Sequence, residues 1–402
     1  MIRFFRALFG EYRTIFSDSG VFLILLAGLM IYTMVYPLPY STEVMKEVPV
    51  IGVDQDHTAL SRKLMRWADA TEEVRIVKST GDLAEAQQFV LMGEACGVFA
   101  IPEGFERDIL RGEQAVVSSY AETTSFLTYR QVATGLYKAT ATLSAGVEVR
   151  RMTAAGFGEE HAKTARDPLP LVTRPLFNPA GGYGTYAVPG VLILIMQQTL
   201  LIAIGMLGGT RNEAYRTAGR IRAVGFYDVL ARGVAFASIY YLYPLFYMTV
   251  VFRIFDLPNA GNVGEIMLFM LPFVLAVSFL GLTLSALFGY REVSIPALIF
   301  SSLPAVFLTG IVWPVEAIPT WLRHASFLLP STMGCPGFVR LNQMGAGFRE
   351  VQNEWTTLWL LAGLYVVLAW LTMRRVPDVP SGAANEEGVY SDAVHGVTSP
   401  VR

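Results

Sequence analysis

Charge is what this sequence has least of. Asp, Glu, Lys and Arg make up 16% of its 402 residues, against roughly a quarter in a soluble domain. The shortage falls in a few long windows with no charge at all, which excludes an ordinary soluble enzyme. A hydrophobic content of 53% excludes disorder, which needs low hydrophobicity and high charge. An excess of one sign is also missing. With 31 basic and 33 acidic residues the net charge is -2, and nucleic acid has no electrostatic case as a partner. Two cysteines allow at most one disulfide and no zinc site of their own. No G-x-x-x-x-G-K-[ST] loop, G-x-S-x-G elbow or H-E-x-x-H helix occurs, so the chain has no recognisable ATP-binding loop or hydrolytic motif.

What is there is a set of long apolar runs. A transmembrane helix needs roughly 20 mostly apolar residues. Six windows qualify: Val21 to about Pro37, a stretch within Tyr186–Gly209, Gly233–Phe252, Ile266–Tyr290, Val293–Val312 and Trp355–Met373. All are charge-free, as expected when a central charge costs on the order of 3 kcal/mol. Only Arg291 and Glu292 separate the fourth and fifth, which predicts a tight helical hairpin. The first window is too long for a signal-peptide core. It runs into Pro37 and Pro39 rather than a small-residue cleavage site, so it reads as a retained span.

Orientation follows from Lys and Arg in short flanks. Arg3, Arg6 and Arg13, then Arg211, Arg216, Arg220 and Arg222, then Arg291, then Arg374 and Arg375 fall on one side. This bias puts both termini in the cytoplasm and the long region after the first span outside. The expected parts are an interfacial amphipathic helix at 1–17, a first span at 18–38 and an external α/β domain at 39–184. A five-span domain at 185–375 follows, then a disordered tail at 376–402. Within the N-terminal segment, Phe5, Leu8, Phe9, Tyr12 and Phe16 recur at helical spacing with the arginines off that stripe.

The insert alternates strand-like and helix-like runs, which predicts an α/β domain. Val48–Val53, Val74–Val77, Ala95–Ile101 and Ala115–Tyr120 read as strands. Thr80 is placed to cap one helix, Pro102 to open another, and Thr123–Met152 reads as a long helix. Asp54, Asp56 and His57 at a strand end are a candidate metal group. They read first as turn and cap chemistry. Cys96 reads as a small buried hydrophobe; a bridge to Cys335 has no support from spacing.

Small residues at Gly205 and Gly209, and at Gly281, Ser285 and Gly289, permit close helix packing. After the fifth span, Pro314 stops the helix. Ile318, Trp321, Leu322 and Phe327 then alternate with Glu316, Arg323 and His324, which predicts a short amphipathic, re-entrant element within 313–354 anchored by Trp313 and Trp321.

That last stretch, LTGIVWPVEAIPTWL…LLP, resembles the permease subunits of type-2 ABC exporters at Gly310, Trp313, Pro314, Pro319, Trp321 and Pro330. LFNP followed by Val188, Pro189 and Gly190, and the insert's PVIGVDQDHTALSRKL and GVFAIPEGFERDI, extend the resemblance over nearly the whole chain. The large insert points to the subgroup with a big external domain. The resemblance implies a multi-pass subunit of the bacterial inner membrane, not itself an enzyme, whose ATP and Mg sit on separate ATPase subunits. It implies a homodimer or heterodimer with a second permease, and docking with a periplasmic adaptor and an outer-membrane channel. The cytoplasmic loop 210–224 becomes the coupling element, with Arg211, Glu213, Arg216, Thr217 and Arg220 as its contacts; anionic membrane lipid competes for the same arginines. This loop departs from the family pattern: in TRNEAYRTAGRI the usual Gly-Thr pair is broken by Arg216 and no second acid follows. The second and fifth spans are the usual lining of the substrate path, so Gln197 and Gln198 stand as path residues or as cross-helix hydrogen bonds. A path rich in Ile, Leu, Phe and Met suits a hydrophobic, drug-like or lipid-like substrate. Two rivals remain: a membrane-anchored periplasmic sensor or scaffold without transport, and a secondary carrier, which commonly keeps ionisable groups at mid-membrane.

Overall fold

The computed structural model describes residues 2–218 and 224–374. It divides into two units, one formed by the chain up to Glu43 together with the chain from Pro175, the other by Val44–Arg174.

The first unit is helical. Among the described residues an N-terminal helix, Ile2–Ser17, is followed by six helices long and apolar enough to cross a membrane. These are Ser19–Tyr40, Tyr183–Thr217, Phe226–Ile254, Val263–Ser285, Arg291–Leu308 and Phe348–Arg374. The second is the most enclosed and the fifth the most open. Asp18 starts the first span, its carboxylate accepting the Gly20 and Val21 N–H groups. The turn between the fourth and fifth spans lies at 286–290, not at Arg291 and Glu292. Those two residues instead open the fifth helix, where an acid in the first turn suits the helix dipole. The fifth helix stops at Leu308, short of the expected Val312, because Gly310 takes a left-handed φ of 82° just past its end.

The small residues act where helices meet. A Cβ on Gly281 would lie 2.9 Å from Ile204, and one on Gly208 would lie 2.4 Å from the Ser285 Cβ. At Gly209 it would meet the Tyr290 backbone at 2.7 Å, a contact that only glycine permits.

After the fifth span come a seven-residue helix, Thr320–Ser326, and a second helix, Pro330–Asn342. Sequence reading places the latter stretch in the re-entrant loop 313–354 and expects no separate helix there; its run PSTMGCPGF is poor helix material. Pro330 at its first position fits a helix start. Its lack of side-chain bulk lets it bury: Gly334 and Gly337 face the Phe273 and Phe269 rings, and Cys335, Phe338 and Leu341 are buried.

The second unit is α/β. Its sheet has the order β2-β1-β3-β4, with β1 (Val48–Asp54) parallel to β2 (Val74–Thr80) and β3 (Gly97–Ile101), and β4 (Ser118–Ala121) antiparallel to β3. The central strand β1 is apolar on both faces. Val48 and Val50 join a core with Leu64, Ala68, Leu136 and Ala139, whereas Ile51 and Val53 pack with Ala86 and Val98. Helices Ala59–Asp69 and Phe126–Ala154 supply the first core and Leu83–Leu91 the second. Two further helices are Phe105–Arg111 and Glu159–Arg166. The cap of Leu83–Leu91 is Asp82, not Thr80. The Asp82 carboxylate accepts the Ala84 N–H at 2.9 Å, while the Thr80 hydroxyl accepts the Asp82 N–H and donates to Glu85.

Candidate functional site

The arginine-rich end of the helical unit is built by the N-terminal helix. That helix packs on the third span and turns Glu11 and Ile15 inward. Glu11, 5% exposed, accepts a hydrogen bond from Arg211 at 2.7 Å and lies 3.8 Å from the Arg232 guanidinium. Arg3 reaches Asp228 at 3.3 Å, and the Tyr12 and Ser238 hydroxyls are hydrogen-bonded. Two turns on, Arg291 grips Asp18 through two bonds of 2.6 and 2.8 Å and donates to Thr210. The Arg291 hydrogen bonds hold the Asp18 carboxyl below the usual carboxylate range, against the opposing effect of its partial burial. Bidentate Arg–carboxylate pairing of this kind is both strong and directional. Asn212 closes the arrangement, its amide donating to the Ser285 and Phe288 carbonyls.

The expected coupling residues therefore separate. Arg211 spends its guanidinium inside the bundle on Glu11, with 17% of its side chain exposed. Glu213, Arg216 and Thr217 are exposed on the continuing helix. The Thr217 hydroxyl donates to the Glu213 carbonyl, and the Arg216 guanidinium lies over the Tyr290 ring at 5.5 Å, across Gly289. Arg220 lies outside the described residues, as does the segment 376–402. Sequence reading missed Glu11, whose partner is 200 positions away.

Gln197 and Gln198 face neighbouring helices. Gln197 is 1% exposed; its amide oxygen accepts the Ser331 N–H at 2.9 Å, and its nitrogen donates to the Ser331 hydroxyl at 3.1 Å. It thereby caps the helix Pro330–Asn342 from the second span. The Gln198 amide donates to the Leu298 carbonyl of the fifth span.

Among the residues of the re-entrant signature, Gly310 makes the left-handed turn, and Trp313 and Trp321 are exposed. Pro314 and Pro319 each sit just before a short helix. Pro330 is buried at the start of the next. The Tyr186 hydroxyl donates to the Ile311 carbonyl and the Gln343 amide to the Thr185 carbonyl, which ties this region to the start of the second span.

In the α/β unit, Asp54 and Asp56 are spent on the backbone. Asp54 accepts the Asp56 and His57 N–H groups and the Ser61 hydroxyl, the last at 2.8 Å. Asp56 accepts the Gly104 and Glu106 N–H groups at 2.8 and 3.0 Å and the Thr58 hydroxyl at 2.6 Å. Burial pushes the Asp56 carboxyl up, but these bonds outweigh it and leave it below its ordinary value. Among the described residues no group of three or more His, Cys, Asp or Glu side chains is placed to share a metal ion. Cys96 and Cys335 are free thiols.

Six apolar helices among the described residues, with an α/β insert after the first, define a multi-pass membrane protein. The chain belongs to the ABC-2 family of transporter proteins, whose pattern it matches over residues 19–371. It is 23% identical over 222 residues to the ABC transporter G family member 20 of Dictyostelium discoideum, covering 53% of this chain and 29% of that protein. It is 24% identical over 165 residues to the probable multidrug ABC transporter permease YbhR of Escherichia coli K12, covering 40% and 44%. The matched stretch thus spans less than half the length of either relative.

Proposed function

We propose that this chain is the membrane-spanning subunit of an ATP-driven exporter. The observation that carries the proposal is the exposed polar turn Glu213–Thr217, at the end of an otherwise apolar and enclosed second span, in a chain of the ABC-2 family. ATP and Mg sit on partner ATPase subunits. These press on Glu213, Arg216 and Thr217, while Arg211 passes the movement to the N-terminal helix through Glu11.

In this reading the arginine-rich end is cytoplasmic, in a bacterial inner membrane. The α/β unit is then periplasmic, as in the subgroup with a large external domain, and is the place where an adaptor and an outer-membrane channel dock. Phe5, Phe9 and Phe16 remain exposed on the N-terminal helix and suit a position in the lipid interface. Trp313 and Trp321 suit the opposite interface, flanking a re-entrant element. The open fifth span, with Ile299, Phe300, Leu303 and Phe307 exposed, is the surface for a second permease. The path then runs along that surface and not past Gln197. Its apolar lining suits a drug-like or lipid-like substrate, which is in keeping with the name of the YbhR relative.

The rival sensor or scaffold needs no ATPase. The test is co-purification with candidate ATPases, followed by ATP turnover of the complex with Glu213→Ala and Arg216→Ala. Export predicts weakened assembly or turnover in both; unchanged assembly and turnover remove the coupling assignment. Substrate movement by this chain alone in vesicles, without nucleotide or partner, would overturn the whole reading.

A further inference from the structure

The α/β unit holds a pocket that its own hydrogen bonding leaves unused. It is a cavity of about 520 Å³ at the carboxyl ends of β1 and β2, lined by Asp54, His57, Arg62, Met65 and Arg66 and by the loop Ser79–Gly81. Ligands of open α/β sheets settle at the carboxyl ends of strands, and this volume is in the range of small-molecule sites.

The charge in the pocket is unbalanced. The Asp54 carboxylate is engaged by the Asp56 and His57 N–H groups and by Ser61. Nearby, Lys46 pairs with Glu72, Arg75 with Glu47 and Lys78 with Glu85, while Lys63 lies over the Trp67 ring. Among the described residues no carboxylate pairs with Arg62 or Arg66, which stand one turn apart on the helix Ala59–Asp69. One Arg62 nitrogen donates to the His57 carbonyl at 2.6 Å, which fixes the side chain at the rim.

The loop that presents these groups is strained. His57 has a φ of 54°, a left-handed conformation rare outside glycine. Its N–H is held by Asp54 and its carbonyl by Arg62. This brings the imidazole beside Gly81, where an added Cβ would lie 4.0 Å from His57 Nε2. The Gln55 amide donates to the Gly81 carbonyl at 3.4 Å, joining the two loops over the cavity. Met65 is buried beneath.

We propose that this pocket binds a ligand carrying a phosphate group, gripped by the guanidinium forks of Arg62 and Arg66 with His57 as a further donor. Guanidinium forks match phosphate oxygens in pairs, and the two arginines outnumber Asp54, the one carboxylate in the lining, which its own N–H and hydroxyl donors hold in place. The phosphate belongs either to a soluble phosphate ester or to a lipid headgroup. The proposal does not depend on the transport reading.

The test is calorimetric titration of the purified full chain in neutral detergent at fixed ionic strength. One arm uses glycerol 3-phosphate and the other short-chain phosphatidylglycerol in the micelle. Saturable binding is expected in one arm, and that arm identifies the source. Arg62→Gln/Arg66→Gln should weaken it about tenfold or more, the scale of a lost charge-assisted hydrogen bond. Arg130→Gln, an exposed arginine on the helix Phe126–Ala154, should leave it unchanged. No saturable binding in either arm, wild-type binding by the double variant, or an equal loss in Arg130→Gln would each overturn the proposal.

Discussion

Replacing Glu11 by alanine should destabilise the helical bundle by about 3 kcal/mol. Glu11 is 5% exposed and sits between Arg211 at 2.7 Å and Arg232 at 3.8 Å, whose side chains are 17% and 14% exposed. Truncation leaves two guanidiniums facing each other away from water with no counter-charge. Breaking a buried pair by removing one member costs about 3–5 kcal/mol. The lower end applies here, because the second carboxylate oxygen already lacks a partner. For a folded unit of this size each kcal/mol moves the melting temperature by about 2–4 °C, so a fall of roughly 10 °C is expected. The assay is retention of monodisperse elution after heating the full chain in detergent. Arg211→Ala in the Glu11→Ala background should cost less than Arg211→Ala alone, since it relieves the repulsion that the first change created. Melting of Glu11→Ala within about 1 °C of wild type, or strict additivity of the two changes, would refute the reasoning.

Three other perturbations have clear signs. Gly209→Ala should destabilise the bundle more than Gly363→Ala, where a Cβ meets nothing, because at Gly209 it lies 2.7 Å from Tyr290 backbone atoms; the heated-elution assay reads the difference. Gln197→Leu should cost about 1–3 kcal/mol by leaving the Ser331 N–H without its acceptor, while Thr356→Val at an exposed position should cost far less; matched melting curves would exclude the cap. Asp18 has its carboxyl depressed by the Arg291 bonds, so its stabilising effect is complete above the ordinary carboxylate pKa and fades as pH falls through the lower folded value. The wild type should therefore lose stability below about pH 4, and Asp18→Asn, weaker at pH 7, should show a smaller loss over that interval; parallel pH curves would refute the pairing.

The spans were legible because a missing charge is a property of a window, readable without knowing what the window touches. The strands β1 and β3 were legible for a similar reason, being continuous apolar runs between turn residues. The helix Pro330–Asn342 was not, since its glycines and prolines argue locally for loop. Its reason to be helical is that Gly334 and Gly337 let it approach Phe273 and Phe269, which are contacts across the fold. Thr80 failed as a cap by two positions for a smaller reason: Asp82 offers an equally good acceptor, and Glu85 captures the threonine hydroxyl.

The residues expected to couple to an ATPase show where such reading stops. Arg211, Arg216 and Arg220 look alike in sequence, a basic cluster after an apolar span, and cytoplasmic topology explains them all equally well. Arg211 is set apart by a glutamate in a helix 200 positions earlier, and that helix presents two faces. The stripe that periodicity detects is split: Phe5, Phe9 and Phe16 are left open, whereas Leu8 and Tyr12 pack against the core. The face that is most deeply buried, Glu11 and Ile15, contains a charge and so reads as solvated. A buried charge is tolerated only where a partner is supplied. The partner makes Glu11 structural, and by engaging Arg211 inside the bundle it sets that residue apart from Glu213, Arg216 and Thr217, which are exposed.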